Sequence, residues 1–243
     1  MTQSEILRVE GLRKSFGGLT AVDGVSFGIE AGRITGLIGP NGSGKTTLFN
    51  LVSGVAPPDG GRILLEGRDV SGWPAFRITG LGLARTFQIS RVFGQLTVWE
   101  NMMVVARQDS PATARDAASE LLARVNLYEA REKFGADLSY GQHKLLEFVR
   151  LLMLEPRVLL LDEPFAGVNP TMQNTMLDLI KSEREDGRTI FLIDHAMAIV
   201  MSLCERILVL DMGQLIADGP PETIQQDDRV LDAYFGRRRE TAP

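Results

Sequence analysis

The 243-residue chain reads as an α/β protein with a largely parallel sheet, an antiparallel β portion and an inserted helical block. Three observations predict this. Residues 6 to 70 hold short β-forming segments bounded by turn residues. From about 90 to 155 the chain is rich in Ala, Leu, Glu and Arg, with helical apolar spacing. Beyond that block, apolar strands alternate with helices, the pattern of a parallel sheet covered on both faces.

The elements follow in order. Ile6-Leu7-Arg8-Val9, Val25-Ser26-Phe27-Gly28-Ile29 and Arg62-Ile63-Leu64-Leu65-Glu66 cluster or alternate β formers. Ile34-Thr35-Gly36-Leu37-Ile38 is a short apolar run that stops at a Gly/Pro/Asn cluster. It reads as a buried strand feeding a loop and then a helix from Lys45 to Val52. Ala112 to Val125 is helical by composition, and Gly141 to Leu154 by the spacing of Leu145, Phe148, Val149 and Leu152. Strand Val158 to Leu161, helix Thr171 to Glu185, strand Thr189 to Ile193, helix Ala196 to Leu203 and a hairpin from Ile207 to Ile216 complete the pattern. No repeat or low-complexity linker divides the chain. It is therefore expected to be a single domain over 1–243, with a core and β subdomain at about 1–88 and 156–243 and a helical subdomain at 89–155.

With 44% apolar and 23% charged residues the chain can bury a core. A net charge of −5 and the lack of a Lys/Arg stripe argue against a nucleic-acid partner. The one dense basic run, Arg237-Arg238-Arg239, reads as a solvated tail. A single cysteine, Cys204, allows no internal disulfide and follows an apolar stretch, which suits a small buried hydrophobe in a reducing compartment. The start of the chain has no basic region followed by an apolar one, and no window reaches about 18 apolar residues. The expectation is a soluble, cytoplasmic chain whose role at a membrane comes through a partner.

Gly39-Pro40-Asn41-Gly42-Ser43-Gly44-Lys45-Thr46, with Thr47 following, matches G-x-x-x-x-G-K-[ST] in full. Triphosphate is a polyanion, held tightly by many backbone N–H groups pointed inward, and glycines permit that turn and a close approach. The helix that follows adds its positive end. Lys45 would reach the β- and γ-phosphates of ATP, and the Thr46 hydroxyl would ligate Mg²⁺. Downstream, Val158-Leu159-Leu160-Leu161-Asp162-Glu163 is an apolar strand ending in two acids. Adjacent strand side chains face opposite ways, so the two acids can take different tasks. Asp162 fits the Mg²⁺-side carboxylate, and Glu163 the group that orients or deprotonates an attacking water.

Leu138-Ser139-Tyr140-Gly141-Gln142, before a long helix and upstream of Asp162, resembles the signature of the ABC ATPases, usually L-S-G-G-Q. The resemblance covers essentially the whole chain and implies the P-loop NTPase fold of that family. It implies that Ser139, Gly141 and Gln142 cap the γ-phosphate of a nucleotide held by a second ATPase subunit. Gln88, in Ala84-Arg85-Thr86-Phe87-Gln88, resembles the glutamine that touches Mg²⁺ or the attacking water. His195, after Thr189 to Asp194, resembles the switch histidine on the γ-phosphate, and Phe16 the aromatic that stacks on adenine, although Phe16 could equally be core. Ala166-Gly167-Val168-Asn169 holds the position of the D-loop, with Asn169 in place of the general Asp and Tyr140 in place of a signature Gly.

Phe16-Gly17-Gly18, Arg85 to Gln88, Leu96-Thr97-Val98-Trp99-Glu100-Asn101, Leu138 to Gln142 and Ala233-Tyr234-Phe235-Gly236 narrow the resemblance to ATPases of branched-chain amino-acid importers. Arg85 to Gln88 resembles the first of the two ATPases of such systems. The stretch from Arg107 to Ala117 is shorter than the insertion many members carry there. The resemblance implies a homo- or heteromeric pair of ATPases, two membrane-spanning permease subunits, an indirect link to a solute-binding protein, and residence on the inner face of the cell membrane. The alternative is the ATPase of another ABC transporter, a urea or amide importer or a lipopolysaccharide exporter. A soluble ABC protein of translation or DNA repair would usually carry two fused ATPase units or long coiled-coil insertions, and this sequence shows neither. The Ser139 segment and His195 count against a P-loop small-molecule kinase.

Overall fold

A computed structural model describes residues 5–87, 91–108 and 110–235. The chain opens with an antiparallel hairpin of β1 (Glu5–Phe16) and β2 (Leu19–Glu30) turned at Gly17-Gly18. β4 (Gly60–Leu65) pairs with β1, and β5 (Arg68–Asp69) with β4, giving the order β2-β1-β4-β5. The hairpin is longer than the two short segments expected. Gly11 sits at φ 56, and the register shifts between Val9 and Leu12, so a bulge bends β1 and lets it continue past the polar residues.

The second sheet has six strands in the order β10-β9-β3-β8-β7-β6. These are β3 (Ile34–Ile38), β6 (Leu83–Arg85), β7 (Val158–Asp162), β8 (Thr189–Ile193), β9 (Arg206–Asp211) and β10 (Gln214–Gly219). Five run parallel, and β10 returns antiparallel along β9. Every residue of β3, β7 and β8 is buried, as strands covered on both faces must be. β6 lay outside the expected elements because three residues show no periodicity. It exists through tertiary pairing of Leu83, Ala84 and Arg85 with Val158, Leu159 and Leu160.

The sheet separates two cores, and the two-residue period of its strands divides the side chains between them. Leu159, Leu161, Ile190 and Leu192 face one side, where they meet Phe148, Val149, Met176 and Ile180. Leu160, Phe191, Ile193 and Leu37 face the other, against Leu48, Phe49 and the hairpin residues Leu7 and Val22. Phe191 anchors this second core, its ring 4.9 Å from that of Phe49 and 5.6 Å from that of Phe27.

The helices are α1 (Lys45–Val52), α2 (Ala75–Gly80), α3 (Val98–Met103), α4 (Pro111–Arg124), α5 (Tyr140–Leu152), α6 (Pro170–Glu185), α7 (Met197–Leu203), α8 (Pro221–Ile224) and α9 (Asp228–Phe235). Ser110, Ser139 and Asn169 cap α4, α5 and α6 through their side chains, and Pro111 and Pro170 open two of them. These caps start each helix one residue ahead of the expected boundary. The block between β6 and β7 contains α3, α4, α5 and two single 3₁₀ turns. Among the described residues no helix is long and apolar enough to cross a membrane.

Candidate nucleotide site

β3, β7 and β8 run parallel, so their carboxyl ends open on one edge of the sheet. From that edge Ile38 leads into Gly39, Asp162 into Glu163 and Ile193 into His195 within two residues. Crevices at this position are where open α/β sheets hold ligands.

The loop from Gly39 to Gly44 needs its glycines. Gly39 has φ 153, and a Cβ there would lie 2.0 Å from the Leu210 carbonyl oxygen. Gly44 has φ 105, and a Cβ there would lie 2.2 Å from the Ala21 carbonyl oxygen. By contrast a Cβ on Gly42 would meet nothing within 4 Å, so that part of the loop faces open space. Lys45 closes the loop on itself, its Nζ donating to the carbonyls of Gly39 and Pro40, both at 2.8 Å, and to Ser43 Oγ at 3.4 Å. Burial pushes the Lys45 ammonium below its ordinary value, while the carboxylates of Glu163 and Asp162 pull it back up. A buried ammonium held by two carbonyls and a hydroxyl, all neutral, gains most from an anion placed before the loop.

A cleft of about 640 Å³ lies there. Asn41, Gly42, Gly44, Lys45, Thr46 and Thr47 line it together with Glu163 and His195. Phe16, 55% exposed, stands on its wall and is not a core residue. His195 Nε2 is 3.1 Å from Glu163 Oε1. Glu163 holds a left-handed backbone at φ 50, its N–H donating to the Ile193 carbonyl at 2.8 Å. Such a conformation at a non-glycine residue is uncommon and clusters at functional sites. Asp194, 3% exposed, fixes the adjoining loops by accepting from the N–H groups of Phe165 at 3.0 Å and Ala196 at 2.8 Å.

The donors suit a hard cation beside a polyphosphate. Thr46 offers a hydroxyl in the cleft, and Asp162, 2% exposed and not among the lining residues, a carboxylate one residue before Glu163. Mg²⁺ keeps most of its shell in water and substrate oxygens rather than in a protein cage, which leaves room for a carboxylate acting through water. Among the described residues no group of three His, Cys, Asp or Glu forms such a cage.

The ABC transporter family model matches residues 22–166, more than half of the chain. The chain belongs to the ABC transporter ATP-binding cassettes. It is an ATP-hydrolysing, nucleotide-binding cassette of a transport system. A second model, described as branched-chain amino acid ATP-binding cassette transporter, matches residues 214–240. The cassette is 40% identical to a high-affinity branched-chain amino acid transport ATP-binding protein of Pseudomonas aeruginosa, covering 95% of this chain and 98% of that protein. It is 36% identical to a lipopolysaccharide export system ATP-binding protein of Haemophilus influenzae, covering 96% and 98% respectively. Its fold superimposes on a nucleotide-free ATP-binding cassette of an ABC transporter with a TM-score of 0.86, at 31% identity over 95% of this chain and 99% of the other. The ADP conformation of such a cassette gives 0.84 at 31% identity, covering 96% and 99%.

The signature residues of the cassette do not line this cleft. Ser139 caps α5: its Oγ accepts from the Gln142 N–H at 3.4 Å, and Gln142 Oε1 accepts from the Ser139 N–H at 2.9 Å. Gly141 is small for a local reason, since a Cβ there would lie 2.2 Å from Met172 Sδ on α6. Tyr140 packs against Gly167, whose φ is 69 and whose Cβ would lie 2.9 Å from the Tyr140 ring. Asn169 serves as the cap of α6, accepting from the Met172 N–H at 3.0 Å. Gln88 lies outside the described residues.

Sequence reasoning missed several side chains of the site. Leu19, Thr20 and Ala21 of β2 and Met212 of the β9–β10 turn complete the cleft, brought there by the contact of the hairpin with the far edge of the sheet. Thr86 Oγ1 accepts from the Asp162 N–H at 2.9 Å. Arg85 donates to Asp162 Oδ2 at 2.9 Å, with both side chains almost wholly buried. An arginine at the end of an unrecognised strand carries no sequence signal that it faces a carboxylate 77 residues away.

Proposed function

We propose that the cassette powers an importer of branched-chain amino acids, binding MgATP in the cleft and hydrolysing it across a pair of ATPase subunits. One observation carries the catalytic reading: Glu163 and His195 stand 3.1 Å apart in the same cleft that Phe16, Lys45 and Thr46 line. Phe16 stacks on adenine, and residues 39 to 47 hold the phosphates. Thr46, Asp162 and Gln88 would hold Mg²⁺, which when bound would neutralise phosphate charge. Glu163 takes the proton of the attacking water, and His195 orients Glu163 and the terminal phosphate. Lys45 and the loop N–H groups supply charge where it develops, so catalysis is mainly positioning and electrostatics.

The position of Ser139, Gly141 and Gln142 outside the cleft supports completion of the site by a second subunit, either a copy of this chain or a related ATPase. ATP then favours the closed pair by its greater affinity for it. Transmission to two permease subunits at the inner face of the membrane runs through a groove of about 260 Å³, bounded by Val55, Phe76, Thr79, Phe87, Leu151 and Leu154. Phe76 is 71% exposed at its rim, an apolar side chain left for a partner. The match of residues 214–240 favours branched-chain amino acids over lipopolysaccharide as cargo.

Glu163→Gln is expected to keep ATP affinity within about twofold and to lower turnover by about 10²- to 10⁴-fold, the usual worth of a general base. Equilibrium ATP binding and phosphate release check this. Wild-type turnover in the variant would remove Glu163 from its role. Cargo is checked by purifying the native complex and measuring leucine uptake in vesicles.

A further inference from the structure

Arg85 ends β6, and its side chain is 5% exposed. Its guanidinium reaches three acceptors on two other elements. One nitrogen donates to Asn50 Oδ1 at 2.8 Å and Ser53 Oγ at 2.9 Å on and just beyond α1, and the other to Asp162 Oδ2 at 2.9 Å at the end of β7. The rings of Phe49 and Phe87 lie 5.6 and 5.2 Å from it. Its Nε is buried and has no partner among the described residues. A core-facing arginine with an unpaired nitrogen is costly to keep, and apolar side chains of similar volume would fill the space at less expense. Of its three acceptors, Asp162 alone carries a charge, and an apolar side chain would leave that charge without its partner.

Two features define that contact. Asp162 is 2% exposed, and without Arg85 its charge would be buried among apolar strands. The planar fork also commits one named carboxylate oxygen, so the carboxylate cannot rotate freely. The same fork is tied to the last turn of α1, the helix that begins at Lys45 and Thr46, and so links Asp162 to the helix that follows the glycine loop. Lysine, a point charge on a flexible stem, cannot meet three acceptors in this way.

We propose that Arg85 is a positioning residue of the ATPase reaction, holding the Asp162 carboxylate in register with Thr46 for the Mg²⁺ that accompanies the nucleotide. This rests on the reading of Asp162 as a Mg²⁺-side carboxylate, and the two can be separated. ADP binding to the full chain is measured by calorimetry with and without Mg²⁺, alongside the melting temperature. Arg85→Lys is expected to leave ADP affinity without Mg²⁺ within about twofold. The extra affinity that Mg²⁺ confers should fall by about tenfold, the scale of one charge-assisted hydrogen bond. An unchanged Mg²⁺ increment overturns the proposal. So does an equal loss with and without Mg²⁺, since a purely structural role would produce it.

Asp162→Asn is the control. If it leaves the Mg²⁺ increment intact, the reading of Asp162 fails and the proposal with it. If it abolishes the increment while Arg85→Lys does not, Arg85 alone is removed. Should Arg85→Lys fail to fold, Ser53→Ala takes away a single tether. It is expected to lower the increment by about threefold, and no change there also overturns the proposal.

Discussion

The side chains that matter most in this cassette are those whose environment opposes their ordinary chemistry. Lys45 is an ammonium spending its hydrogen bonds on its own loop, and Asp162 a buried carboxylate held by a buried guanidinium. Cys204 shows the same physics without a catalytic role. Burial pushes its thiol up to about 12, with Glu205 adding to the shift. The folded value lies above the unfolded one, so the contribution of Cys204 to stability is complete below about pH 9. It is lost as pH rises from there toward about 12. Cys204 is therefore expected to resist thiol reagents at pH 8 in the folded protein and to react on unfolding, which a denaturant series with a chromogenic disulfide checks. The sequence located this residue correctly as a small buried hydrophobe, because its apolar neighbours are local. It could not show Arg85 against Asp162, because that contact exists only once β6 pairs with β7.

At the scale of elements, the starts of α3, α4, α5 and α6 are set by short polar side chains followed by proline or a reciprocal Gln or Glu. Asn169 is the informative case. Read along the chain it is a departure from the family's aspartate; in the fold it caps α6 through the Met172 N–H. Asn169→Ala is expected to lower stability by about 1 kcal/mol, and Asn169→Asp to retain it, measured by urea unfolding. Strands with a strong apolar run, β3, β7 and β8, were legible because burial on both faces imposes that composition. β1 was legible only in part, because half of its residues face solvent and Gly11 allows a bulge. β6 and α2 were not legible, since a few residues carry no period and both depend on packing beside the groove.

For the whole molecule, the decisive property is that the glycine loop lines a cleft while Ser139, Gly141 and Gln142 lie outside it, which supports the proposed sharing of the site by two subunits. ATP with the Glu163→Gln variant is expected to convert a monomer into a dimer that elutes earlier in size-exclusion chromatography, and ADP is not. Specific activity of the wild-type cassette should rise with protein concentration below the dimerisation constant. A rate per chain that is independent of concentration over a hundredfold dilution, in a preparation that stays monomeric, would refute the shared site.

By itself the sequence determined the class of fold and the family, and it pointed to the glycine loop and to the two acids at the end of β7, because each is written in contiguous residues whose spacing is dictated by one turn, one strand end or one helix start. Tertiary structure alone decided that Phe16 stands on the cleft wall, that Glu163 meets His195, that Tyr140 packs on Gly167 and that Arg85 grips Asp162. These are contacts between segments distant along the chain. The meeting of Glu163 with His195 follows from the spatial order of the strands, which brings the carboxyl ends of β3, β7 and β8 to a common edge.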